Sequence, residues 1–232
     1  MIDTVPSEVD LRKQLVRFGR WMNRLGFAPG TSGNLSARLD EYRILATPTG
    51  CSKFLLHPSD MVIVDIDGNQ LAGARRVTSE IDMHLTIYRM RRDVKGVVHA
   101  HPPTATAFAS SGIALDEPLC SEIVMTLGSV PLAPYATTGS LRLSRSLEPF
   151  IPDYDAILMA NHGAVTYGAT LLDAFMQMET VEHFAKVCLI VRQLGGGQPL
   201  RHDMLPELFE ARKRYRLNAG MHPEFEPQPA DA

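Results

Sequence analysis

Apolar side chains between residues 9 and 25 fall at Leu11, Leu15, Phe18, Met22 and Leu25, the spacing of a helix with one buried face, and Gly26 supplies a stop. The period returns over 81–92 (Ile81, Leu85, Tyr88), and helical patterns also cover 141–150, 171–194 and 206–215. The long fourth segment ends at Gly195-Gly196-Gly197. Between these helices lie short alternating or wholly apolar runs that read as strands: 35–39, 43–47, 94–100, 130–135 and 156–160. Runs 61–65 and 70–72 flank Asp67-Gly68-Asn69, whose residues tolerate positive φ, so this pair reads as an antiparallel hairpin. Residues 122–127 fit either state.

The order of elements predicts an α/β fold, a three-layer sandwich with a central, mostly antiparallel sheet flanked by helices. No repeat or linker interrupts it, so residues 1–232 read as a single domain, with a mobile tail from about residue 217.

Composition narrows the partners. With 232 residues, 45% hydrophobic and 21% charged, the chain can bury one sizeable core. A formal net charge of −3 gives no basic excess for nucleic acid or a membrane surface, so an anion must be recognised locally. Met1 to Glu8 carry acids and a proline where an export signal needs basic and then apolar residues, and no apolar run is long enough to span a bilayer. A cytoplasmic protein is expected. Cys51, Cys120 and Cys188 are widely spaced and odd in number, so reduced thiols are expected, with Cys188 in the core.

The candidate chemistry lies in histidines. In a strand alternate side chains share a face, so Val98-His99-Ala100-His101 turns two imidazoles to one side. A pair of surface histidines at a sheet end would show the same spacing. His162, in Asn161-His162-Gly163 where an apolar strand turns, is the candidate third donor. Three nitrogens with an open position suit a catalytic zinc better than a structural one. Glu80 sits in Thr78-Ser79-Glu80-Ile81-Asp82, where Ser79 and Asp82 have the spacing of a capping box at a helix start. Hydroxyls there, together with Thr31-Ser32-Gly33-Asn34 and Thr47-Pro48-Thr49-Gly50, could form one phosphate pocket without basic side chains; each alone is an ordinary turn.

Gly30-Thr31-Ser32-Gly33-Asn34-Leu35-Ser36, Thr47-Pro48-Thr49-Gly50, Thr78-Ser79-Glu80, Val98-His99-Ala100-His101 and Asn161-His162-Gly163 stand in the order and spacing of the class II aldolase/adducin family. The chain resembles that family from about Leu11 to Tyr215, above all its fuculose 1-phosphate aldolases. The resemblance implies a homotetramer of four-fold symmetry with sites between subunits. It implies zinc, with manganese or cobalt as alternatives, on His99, His101 and His162, with Glu80 as base and further ligand. Gly33, Asn34, Thr49, Gly50, Thr78 and Ser79 match the pocket for the substrate phosphate, and Tyr215 matches a C-terminal tyrosine that reaches the site. The implied reaction is reversible cleavage of a ketose 1-phosphate, either fuculose 1-phosphate or a 5-deoxypentulose or methylthioribulose 1-phosphate, into dihydroxyacetone phosphate and an aldehyde. The family's epimerases carry aspartate where Glu80 stands, which tilts the reading to an aldolase; dehydratases, decarboxylases and adducin-like interaction modules are the alternatives. One departure stands out: Cys120-Ser121-Glu122 occupies the region where the fuculose enzymes carry a proton-donating tyrosine.

Overall fold

The computed structural model describes residues 6–214. Its helices are α1 (Glu8–Arg24), α2 (Ile81–Met90), α3 (Pro103–Ser110), α4 (Ser121–Thr126), α5 (Leu141–Leu147), α6 (Leu171–Gln193) and α7 (Leu205–Arg214). Its strands are β1 (Asn34–Arg38), β2 (Arg43–Ala46), β3 (Val62–Asp65), β4 (Gln70–Ala72), β5 (Gly96–Ala100), β6 (Leu132–Ala133), β7 (Ala156–Met159) and β8 (Gly163–Gly168). They form one eight-stranded sheet in the order β4-β3-β2-β1-β5-β8-β7-β6. Every pairing is antiparallel except β6 with β7. This is the expected mixed sandwich. Tyr215 and the expected tail lie outside the described residues.

Period-two alternation divides the core into two halves. Leu45, Val98 and Leu158 turn toward one cluster, shared with α1, α3 and α6. Their neighbours Ile44, Val97 and Ile157 turn to the other, shared with α2 and α5. The sheet is therefore covered on both faces, which is why strands such as β3 and β7 are almost wholly apolar rather than alternating.

Two elements were missed by pattern alone. β8 is a six-residue strand buried at every position and bracketed by Gly163 and Gly168, so it offers neither alternation nor β-branched length. α3 begins at the second of two consecutive prolines, and Pro103 at a helix start costs nothing, because its missing N–H has no partner there anyway. The ambiguous stretch around Glu122 is helical, and the extended run of 130–135 contributes only the two residues of β6. The expected capping box of Ser79 and Asp82 does not form: the N-cap of α2 is Glu80, and no side chain caps it.

Candidate metal centre and active site

β5 places His99 between β1 and β8, opposite Asn34 and Val165, and His101 leaves the strand with its backbone N–H donating to the Phe27 carbonyl at 2.8 Å. The turn between β7 and β8 supplies the third imidazole. Asn161 there has φ 55°, alone in positive φ among the described non-glycine residues, and asparagine is among the few side chains that tolerate it. Gly163 follows because a Cβ at that position would stand 2.5 Å from the Ala100 carbonyl oxygen and from Cδ2 of His101. Only glycine lets the turn approach closely enough to set His162 beside the other two rings.

The ring centroids of His99, His101 and His162 stand 4.7 to 5.2 Å apart, and one nitrogen of each lies within 4.8 Å of the others. Nε2 of His101 is 3.2 Å from Nε2 of His99. Glu80 closes the group: Oε2 lies 3.2 Å from His99 Nε2, and Oε1 lies 3.3 Å from His162 Nε2. As the N-cap of α2, Glu80 would ordinarily cap the helix; its carboxylate is diverted to the histidines instead.

The donor set fits a divalent cation. His99 Nδ1 donates to the Ala164 carbonyl at 2.9 Å, which fixes its tautomer and leaves an Nε2 lone pair facing the cluster. Glu80 Oε1 is buried without a hydrogen-bond partner, as is His162 Nδ1, and buried polar atoms in that state are rare. Converging ring nitrogens, a carboxylate and an orphaned oxygen are what three-histidine sites present. Burial pushes the Glu80 pKa up, but His99 and His162 outweigh it and hold the carboxyl below the usual range. His101 is driven down to about 3 by burial and by its two neighbouring histidines, so its ring is neutral and able to ligate.

The three hydroxyl-rich loops lie side by side. Thr47 N–H donates to Leu35 O at 3.0 Å, and Thr47 Oγ1 accepts from Leu35 N–H at 3.1 Å. Thr78 N–H donates to Thr47 O at 3.2 Å, and Thr49 N–H to Arg76 O at 3.0 Å. Thr49 can therefore offer an anion its hydroxyl but not its amide. Gly33 takes φ 70° where a Cβ would stand 3.0 Å from the His99 carbonyl, which seats the first loop directly on β5. Gly50, at φ 66°, has open space around it. Asn34 is spent differently from expectation: its amide donates to Glu80 Oε2 at 2.8 Å, placing it between the hydroxyl-rich loops and the histidines.

Sequence reading missed Lys53. Its ammonium, almost completely buried, donates to Thr31 O at 3.1 Å and Cys51 O at 2.8 Å, tying the first two loops together. Burial pushes it down to about 8, against the pull of Cys51 and Glu80. No motif announces a lysine three residues past Gly50; only the packing does.

The family profile for the Class II Aldolase and Adducin N-terminal domain matches residues 13–189. The chain belongs to this class II aldolase and adducin family. A 3-oxo-tetronate 4-phosphate decarboxylase of Escherichia coli (strain K12) is 35% identical over 218 residues, covering 91% of this chain and 100% of the relative. A 5-deoxy-D-ribulose 1-phosphate aldolase of Bacillus thuringiensis serovar kurstaki is 34% identical over 199 residues, covering 85% and 92%. A solved L-fuculose 1-phosphate aldolase superposes with a TM-score of 0.82 at 31% identity, covering 88% of this chain and 96% of that one. Class II aldolases depend on a metal, and His99, His101 and His162 form the group that could hold it here. Among the described residues no helix is long and apolar enough to cross a membrane.

Proposed function

We propose that this class II aldolase is a zinc-dependent aldehyde-lyase that cleaves a ketose 1-phosphate reversibly into dihydroxyacetone phosphate and an aldehyde. The observation that carries the reading is the placement of Glu80: a largely buried carboxylate between two of three clustered histidines, with one oxygen lacking a hydrogen bond and the hydroxyl loops alongside. Zinc on His99, His101 and His162 would supply Lewis-acid polarisation of the substrate carbonyl. Nitrogen donors favour zinc, with manganese and cobalt as alternatives set by supply. Gly33, Thr49, Gly50, Thr78 and Ser79 anchor the phosphate through amides and hydroxyls, with Asn34 linking that pocket to Glu80, which fixes the sugar chain relative to Glu80. In the cleavage direction the hydroxyl beside the breaking bond gives up its proton to the Glu80 carboxylate, the bond opens to the aldehyde, and Glu80 returns that proton to the enediolate carbon. Tyr215 is assigned as a second site residue, the enzyme as a homotetramer with sites between subunits, and its location as cytoplasmic.

Decarboxylation of a phosphorylated keto-sugar acid is the second reading. It is favoured by Cys120-Ser121-Glu122 at the start of α4, where no tyrosine stands to serve a departing aldehyde, and by the relative named as a decarboxylase. Loss of carbon dioxide needs no such group.

One panel separates the two. Zinc-loaded protein is incubated with fuculose 1-phosphate, 5-deoxyribulose 1-phosphate, methylthioribulose 1-phosphate and 3-oxo-tetronate 4-phosphate. Release of dihydroxyacetone phosphate from one of the first three supports the aldolase; release of carbon dioxide from the fourth alone replaces it with the decarboxylase.

A further inference from the structure

Behind Glu80 lies a buried chain of polar side chains whose hydrogen bonds can run in one direction only. An ionised carboxylate accepts and never donates, so the Asn34 amide nitrogen must face Glu80 Oε2, at 2.8 Å. Asn34 Oδ1 then faces His84 Nε2, within hydrogen-bond distance, and that nitrogen must carry the proton. Burial drives the His84 pKa down to about 3, so the ring is neutral and its Nδ1 must accept. The Ser36 hydroxyl, 2.7 Å away, donates to it. That spends the one Ser36 proton, so the Tyr88 phenol, 2.9 Å from Ser36 Oγ, donates to the serine.

We propose that Ser36, His84 and Tyr88 are positioning residues that lock the Glu80 carboxylate through Asn34. All four members are buried: Ser36 and His84 are 0% exposed, Tyr88 1% and Asn34 4%. Asn34 and Ser36 share a face of β1, and Asn34 lies opposite His99 across the ladder to β5. His84 and Tyr88 are successive turns of α2, the helix that begins at Glu80. The chain thus couples the strand beside the histidines to the helix that carries the acid. Its result is selective: Oε2 is held by Asn34, and Oε1, 3.3 Å from His162 Nε2, is left as the carboxylate atom without a hydrogen-bond partner. Apolar residues would fill the same core volume; an unbroken donor-to-acceptor order from a phenol to a carboxylate fixes an orientation that packing alone would not.

This rests on the reading of Glu80 as the acid–base group, and the test separates the two. In the full chain labelled with 15N-histidine, with and without zinc, His84 is expected to show the neutral Nε2–H tautomer at about pH 7. With whichever panel substrate turns over, Ser36→Ala and Tyr88→Phe are expected to lower kcat by roughly 10- to 100-fold, the usual cost of losing an outer partner of a site group. KM should stay within about twofold, because the phosphate loops are untouched, and Ser36→Thr, which keeps the hydroxyl, should restore most of the loss. A His84 ring seen as Nδ1–H tautomer or imidazolium overturns the proposal, without need of any variant or substrate. So do variants that lose only thermal stability while kcat holds, or that raise KM alone. If no panel substrate is cleaved, the proposed function falls while the His84 tautomer still judges the chain.

Discussion

The histidine cluster and the hydroxyl-rich loops are neighbours built on opposite principles. Each histidine sits at a strand end or tight turn with no alternative: His99 is locked by Ala164, His162 by the left-handed Asn161, and the approach of the rings by Gly163. The loops are stitched to one another by backbone bonds and by Lys53, and each contributes interchangeable hydroxyls and amides. A site fixed by single contacts fails when one is removed, whereas a site fixed by many weak contacts degrades. If the comparison is right, substitutions in the first region abolish chemistry, and those in the second shift substrate affinity.

The largest effect is expected at His101. Its replacement by alanine should remove metal binding and lower turnover by more than about 100-fold, beyond the range for outer partners, as read by metal content and initial rates. Gly163→Ala comes next. The added Cβ meets a backbone carbonyl at 2.5 Å, so strain of about 1–3 kcal/mol is expected in urea unfolding, with weakened zinc affinity in the same protein. A variant with native stability and native zinc affinity would break the claim that this turn is over-determined. Ser79→Ala should be milder: one hydrogen bond to a charged phosphate is worth about 1.5 kcal/mol, so KM should rise roughly tenfold with kcat held. A fall in kcat alone would place Ser79 with the chemistry instead.

The last effect is small at each step of pH and accumulates across a wide window. His84 in the folded chain titrates near 3, against an ordinary value near 6.5, so below about pH 6.5 the unfolded chain takes up a proton that the folded one refuses. This contribution is fully present above that pH. It is lost progressively as pH falls toward 3, with a slope approaching roughly 1.4 kcal/mol per pH unit. Denaturant midpoints across that window should show a steep decline that flattens in His84→Gln.

Much of this was legible in the sequence because it is local. Alternation in His99-Ala100-His101 placed two rings on one face, and Asn161-His162-Gly163 announced a turn after an apolar strand. The hairpin at Asp67-Gly68-Asn69, the long α6 and the mixed sheet were likewise written in periods of two and 3.6. What was hidden depends on contacts distant in sequence. Asn34 and Glu80 are 46 positions apart and Ser36 and His84 are 48, so no window holds both members of either pair. β8 was invisible because burial on both faces removes alternation, and the capping box at Ser79 failed because Glu80 is drawn into the histidines rather than onto the helix.

The central claim, that His99, His101 and His162 form a catalytic metal centre, is tested most directly by zinc titration of the metal-stripped chain beside His99→Ala. The account predicts about one zinc per chain in the parent, as a three-histidine site takes, and none held tightly by the variant, with the far-ultraviolet circular dichroism of the two superimposable. Equal zinc content in both proteins would contradict it.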